Sequence, residues 1–84
     1  MKVNKPGSER DSLTILGIDP GGEVTGFGVV CQEGPRTRMI ACGVERAEKG
    51  ENLADKLCRI FHFIQDLIRK YQPDVLAVED VFYG

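Results

Sequence analysis

Two acids in this 84-residue sequence stand where chemistry is done: Asp19, closing the run Leu13-Thr14-Ile15-Leu16-Gly17-Ile18, and Glu79, closing Val75-Leu76-Ala77-Val78. Each run is short, mostly apolar and rich in β-branched residues, so each acid is expected at the carboxyl end of a buried strand. If the two strands are neighbours, about 4.8 Å apart and in matching register, the acids converge on one point above the carboxyl end of the sheet. Two ionised carboxylates at that separation repel, and the repulsion is relieved by a held proton or a divalent cation. Oxygen ligands favour Mg2+ or Mn2+ over zinc. Two such ions about 3.5–4 Å apart suit in-line phosphodiester hydrolysis, one activating water and the other stabilising the leaving oxygen. That chemistry needs more acids than these two, and Asp80 alternates to the other face if its strand continues.

Plainer readings of the same residues stay open. Asp19-Pro20-Gly21 also suits a turn, because aspartate bonds nearby backbone amides, and Glu79 also suits a charge emerging at a strand end. Gly21, Gly22, Gly26 and Gly28 suggest a phosphate cradle, yet there is no P-loop lysine at the required spacing and no helix opening directly after them. The glycines then read as a tight hairpin whose bare Cα positions let a ligand approach. His62 lies one position off an apolar stripe and reads as a surface or boundary residue. Cys31, Cys42 and Cys58 are odd in number, lack C-x-x-C spacing and make no zinc set with His62, so they are expected to be reduced, buried and hydrophobic in role. Phe82 and Tyr83 suit either core aromatics or a stacking platform beside the carboxylates.

Elements must place these groups. Residues 1–12 are polar enough to form a flexible amino-terminal arm. Leu13 to Asp19 is the first strand, Gly26 to Cys31 the second and Arg38 to Glu45 the third, with Glu33-Gly34-Pro35-Arg36 as a hairpin turn. Short connections make these three an antiparallel meander. The hydrophobic period then changes to that of a helix, with Leu53, Leu57, Ile60, Phe61, Ile64, Ile68 and Tyr71 on one stripe. Asn52 caps its start, with Asp55 three residues on, and Arg69 and Lys70 suit its end. Tyr71-Gln72-Pro73-Asp74 stops it. Asp55, Lys56, Arg59, Gln65, Asp66 and Arg69 are expected to form a solvated polar face. The last run, Val75 to Glu79, follows a long crossover and should lie parallel to the first strand. The class is α/β.

The chain has room for one small domain, and 42% hydrophobic with 29% charged residues is globular composition. A formal charge of −2 gives no broad cationic field for nucleic acid, although a local acidic cluster around a metal fits it. The apolar runs are far shorter than the ~20 residues that span a bilayer, and residues 1–12 hold no apolar targeting core, so a cytoplasmic location with no membrane partner is expected. The chain stops directly after an apolar run, an ending expected of a cut domain.

The residues Leu16-Gly17-Ile18-Asp19-Pro20-Gly21, Val24-Thr25-Gly26-Phe27-Gly28-Val29-Val30 and Gln72-Pro73-Asp74-Val75-Leu76-Ala77-Val78-Glu79-Asp80-Val81-Phe82, with the helix between them, resemble the amino-terminal half of the bacterial RuvC family. These are crossover junction endodeoxyribonucleases that resolve Holliday junctions on a ribonuclease H-like fold. The resemblance covers Leu13 to Gly84 in order. It implies strand order 3-2-1-4, which makes the first and fourth strands neighbours. It implies that Asp19 and Glu79 are two of the catalytic, metal-binding carboxylates, with Mg2+ or else Mn2+ as cofactor. Phe82 falls on the family's aromatic that probes base stacking, and Gly21 and Gly22 fall in the turn expected against DNA. The implied partners are four-way junction DNA, a second copy in a homodimer and a branch-migration helicase.

Two departures stand out: Gly22 replaces a usual serine, and Asp80 a common glutamine. The family's remaining acids, its dimer helix and most of its basic surface would lie beyond Gly84, so residues 13–84 are expected to be half of a nuclease domain and inactive alone. Two other readings compete. One is an actin-like ATPase or sugar-kinase half domain, whose Asp-Gly hairpin holds nucleotide phosphates; the other is a nuclease-like binding module without catalysis.

Overall fold

The computed structural model describes residues 2–4 and 12–79. Its elements are β1 (Lys2–Asn4), β2 (Ser12–Asp19), β3 (Val24–Glu33), β4 (Arg36–Arg46), α1 (Leu53–Tyr71) and β5 (Val75–Val78). β2, β3 and β4 form the expected antiparallel meander, with Glu33 opposite Arg36 across a two-residue turn in which Gly34 takes a φ of 58°. That left-handed conformation is one glycine adopts without a steric penalty. β5 lies parallel to β2, from Ile15 opposite Val75 to Ile18 opposite Val78.

The sheet order is β1-β5-β2-β3-β4. It contains the expected 3-2-1-4 arrangement and adds one strand. Lys2–Asn4, assigned from composition to a flexible arm, instead pairs antiparallel with the outer edge of β5, Lys2 opposite Ala77 and Asn4 opposite Val75. Ser12, also assigned to the arm, opens β2. Low apolar content limits what side chains can bury, but an unpaired strand edge offers backbone donors and acceptors to any extended segment within reach. Residues 5–11 lie outside the described residues.

One face of the sheet carries the core. Leu16, Ile18 and Val29 are buried together with Leu67 of α1, and Phe27, Ala41, Phe63, Ile64, Tyr71, Leu76 and Val78 pack around them. Phe27 bridges the two layers: its ring meets Phe63 edge to face at 5.6 Å and lies over Gly43, where a Cβ would come within 2.9 Å of it. Gly43 is therefore a packing residue.

The stripe of α1 that meets the sheet shares Ile64 and Tyr71 with the expected one and otherwise differs from it. Phe63, Ile64, Leu67 and Tyr71 face the core, whereas Leu53, Leu57, Phe61 and Ile68 are 67, 58, 60 and 40% exposed. The helix is apolar over more than one face, and periodicity locates an average face without choosing between stripes. Both ends of α1 are as the sequence requires. The Asn52 Oδ1 accepts the Asp55 N–H at 2.8 Å, and Gln72, at φ 46°, donates its N–H to the Ile68 carbonyl.

β5 is fastened to β2 where both begin. The Asp74 Oδ2 accepts the Thr14 N–H at 2.9 Å, and the Asp74 N–H reaches the Thr14 carbonyl at 2.8 Å. This double link sets the register that carries on to the acids at the other end. Cys31 is buried as expected, but Cys42, on the face opposite α1, and Cys58, on α1, are exposed. No helix among the described residues is long and apolar enough to cross a membrane.

Leu16→Ala removes a fully buried side chain at the centre of this single layer of packing, and is expected to cost about 2–4 kcal/mol in urea denaturation. Leu53→Ala should change stability by less than about 0.5 kcal/mol.

Candidate functional site

The alternation of side chains along β2 places Leu16 and Ile18 against α1, which leaves Gly17 and Asp19 on the opposite face. The same alternation on β5 places Leu76 and Val78 inward and Ala77 and Glu79 outward. Ile18 opposite Val78 is the last pair of the ladder, and the Glu79 N–H donates to the Ile18 carbonyl at 3.1 Å. Asp19, the last residue of β2, and Glu79, the residue after β5, therefore each follow the last pair of these adjacent parallel strands, on the face opposite α1, and both are exposed.

The two acids lie at the rim of a concavity of about 660 Å³. Gly17, Gly26, Gly28 and Ala77 leave its floor almost without side chains, and Cys42 and Val44 of β4 form a wall. The glycines that interrupt two strands thus hollow out the sheet next to the carboxylates. As hard oxygen donors without nitrogen or sulfur neighbours, the pair suits Mg2+ or Mn2+. Among the described residues no group of three or more His, Cys, Asp or Glu converges to hold an ion. Two ligands leave most of an octahedral shell to water or to groups from elsewhere.

Pro20, Gly21 and Gly22 turn the chain from β2 into β3. Gly21 is required by space, since a Cβ there would run into the Val24 carbonyl oxygen. Gly22 is not: a Cβ there meets nothing within 4 Å, so the serine usual at this place in the resembled family fits without strain. Phe82, with Asp80 and Tyr83, lies outside the described residues. His62 is exposed on α1 beside Phe61, away from the acids.

Two residues of the polar face of α1 do more than meet solvent. The Lys56 Nζ donates to the Gly22 carbonyl at 2.7 Å. The Arg59 guanidinium, 20% exposed, takes Glu51 with two nitrogens at 3.0 and 2.6 Å and Glu45 at 3.1 Å. These bonds join the end of β4, the connection to α1 and the helix itself beside the turn. Helical periodicity places Lys56 and Arg59 on a polar face but carries no information on partners far away in sequence. The sequence signal is the acids Glu45 and Glu51 flanking a short connection.

The Arg59 hydrogen bond, opposed by burial and reinforced by the arginine's charge, holds the Glu51 carboxyl below its ordinary value of 4.5. The Glu51 bond likewise raises the Arg59 guanidinium above its ordinary range. A carboxyl lowered in the folded state adds stability above its unfolded pKa and loses it as pH falls through the folded one.

Two outcomes follow from this geometry. Gly21→Ala should destabilise the chain by about 1–3 kcal/mol and Gly22→Ser by less than about 0.5 kcal/mol, read by urea midpoint. Acidification below about pH 4.5 should lower the wild-type midpoint more steeply than that of Glu51→Gln, which has no carboxyl to protonate.

The family model described as crossover junction endodeoxyribonuclease RuvC matches residues 15–84. The chain is similar to the crossover junction endodeoxyribonuclease RuvC of Psychromonas ingrahamii, 50% identical over 68 residues, covering 81% of this chain and 39% of that relative. It is similar to that of Colwellia psychrerythraea, 45% identical over 71 residues, covering 83% and 41%. The Cytophaga hutchinsonii protein of the same name is 39% identical over 82 residues, covering 98% and 41%. The chain thus spans about two fifths of the length of the curated relatives it matches.

Proposed function

Because the chain belongs to the RuvC family of crossover junction endodeoxyribonucleases, we propose that it supplies the amino-terminal half of a nuclease domain that resolves Holliday junctions by metal-dependent phosphodiester hydrolysis. The observation that carries this reading is that Asp19 and Glu79 each follow the last β2–β5 pair, Ile18 opposite Val78, with the Glu79 N–H on the Ile18 carbonyl. Family membership replaces the actin-like kinase reading. The exposed carboxylates speak for a working site over a module without catalysis.

In this reading Asp19 and Glu79 hold Mg2+ or Mn2+, which when bound supplies activation of water and charge stabilisation at the leaving oxygen. The chain's own residues do the rest. Asp19 and Glu79 would hold the cation, and the shallow glycine floor lets a duplex backbone come close to the sheet. Gly21 and Gly22 present the backbone of the turn to DNA, and Phe82 contributes an aromatic surface for base stacking. The acids that complete the ion's shell come from chain beyond Gly84, as do the helix of the homodimer and the surface that meets a branch-migration helicase. Residues 1–84 are accordingly inactive alone, and the complete protein works in the cytoplasm on four-way DNA.

A chimera tests this. Residues 1–84 joined to the carboxyl-terminal remainder of the Psychromonas relative should cleave a synthetic four-way junction in Mg2+. Asp19→Asn or Glu79→Gln in the chimera should lower cleavage about 100-fold or more while junction binding stays within about threefold. Undiminished cleavage by the Asp19→Asn chimera, or cleavage at the same rate by residues 1–84 alone, would falsify the proposal.

A further inference from the structure

The turn that follows Asp19 is held from the side of α1 by a group outside the carboxylate pair. The Lys56 ammonium takes the Gly22 carbonyl at 2.7 Å, and the Ala47 N–H takes the adjoining Glu23 carbonyl at 2.8 Å. Two successive carbonyls of the turn are therefore bonded to the connection between β4 and α1 and to the second turn of the helix. Arg59, three residues beyond Lys56 and so on the same side of α1, binds Glu45 before that connection and Glu51 within it. Its bonds brace the segment from which both donors reach the turn.

Asp19 is the last residue of β2 and the last to pair with β3. Its partner Gly26 is the last pair of the β2–β3 ladder, and beyond it the chain reverses through Pro20, Gly21 and Gly22. The direction in which its carboxylate leaves the sheet depends on how that reversal is held. Glu79 is tied separately, its N–H donating to the Ile18 carbonyl. A small hard cation tolerates little error in the spacing of its oxygens, so the hold on the turn matters to a shared ion more than to the fold.

We propose that Lys56 is a positioning residue of the carboxylate site: its ammonium, bonded to the Gly22 carbonyl, fixes the turn and thereby the place of the Asp19 carboxylate relative to Glu79. The proposal rests on the reading of these two acids as a cation-binding pair. It carries a sign that charge alone contradicts. A lysine near a cation site repels the cation, so deleting the ammonium should tighten binding by Coulomb's law. If positioning dominates, the same deletion weakens it.

The test uses the 84-residue chain as wild type, Lys56→Met, Lys56→Arg and Asp19→Asn, titrated with Mn2+ and followed by water-proton relaxation, alongside amide 15N relaxation without metal. Lys56→Met, which keeps the apolar stem, should weaken Mn2+ binding about tenfold, the low end of the cost of removing a group behind a metal ligand. Order parameters at Gly21, Gly22 and Glu23 should fall from about 0.85 to below about 0.7. Lys56→Arg should restore both. Mn2+ binding by Lys56→Met as tight as wild type or tighter overturns the proposal, as do unchanged order parameters or losses that arginine fails to restore. Equal Mn2+ binding by wild type and Asp19→Asn removes instead the carboxylate reading. The metal-free order parameters then judge the hold of Lys56 on the turn by themselves.

Discussion

The parallel pairing of β5 with β2 is the constraint on which the rest of the molecule depends. It closes the long crossover through α1, and it is secured at its start by the two bonds between Asp74 and Thr14. From there four residue pairs carry the register to Ile18 and Val78, so that the next residue on each strand is an acid. A slip of one residue would turn Glu79 to the α1 face and Val78 to solvent, undoing the core and the site together. The packing energy of Leu16, Ile18, Leu76 and Val78 thus also specifies where the carboxylates stand.

Around that pairing the two faces of the sheet are used differently. The face toward α1 is filled with aliphatic and aromatic side chains; the other is stripped to glycine and alanine near the acids. A stripped face suits close approach by another backbone, such as that of DNA or of the remaining polypeptide of this family. The turn between β2 and β3 separates the two uses. On one side it bears Asp19, and on the other its carbonyls are tied to α1 and its connection.

Much of this was legible in the sequence, because it follows from period and punctuation. The β-branched runs ending in Asp19 and Glu79, the glycine turn, the capped helix and the proline stop all lie within a few neighbouring residues. Strand order came from family resemblance. What escaped the sequence is non-local. The strand at Lys2–Asn4 exists because the edge of β5 needs partners, a property of the sheet that the composition of residues 1–12 does not express. Leu53, Leu57 and Phe61 are as apolar as Phe63 and Leu67, so period alone does not single out the stripe of α1 that faces the core. The roles of Lys56 and Arg59 depend on Gly22 and Glu45, more than three turns of helix away in sequence, where pattern carries no information.

The central claim is that strand register makes Asp19 and Glu79 one cation site. The most direct measurement is anomalous diffraction at the manganese edge from crystals of the chain soaked in Mn2+. The account predicts a peak between the two strand ends, about 2–2.5 Å from a carboxylate oxygen of each acid. A peak bound to one acid alone, or ordered Mn2+ only elsewhere on the molecule, would contradict it.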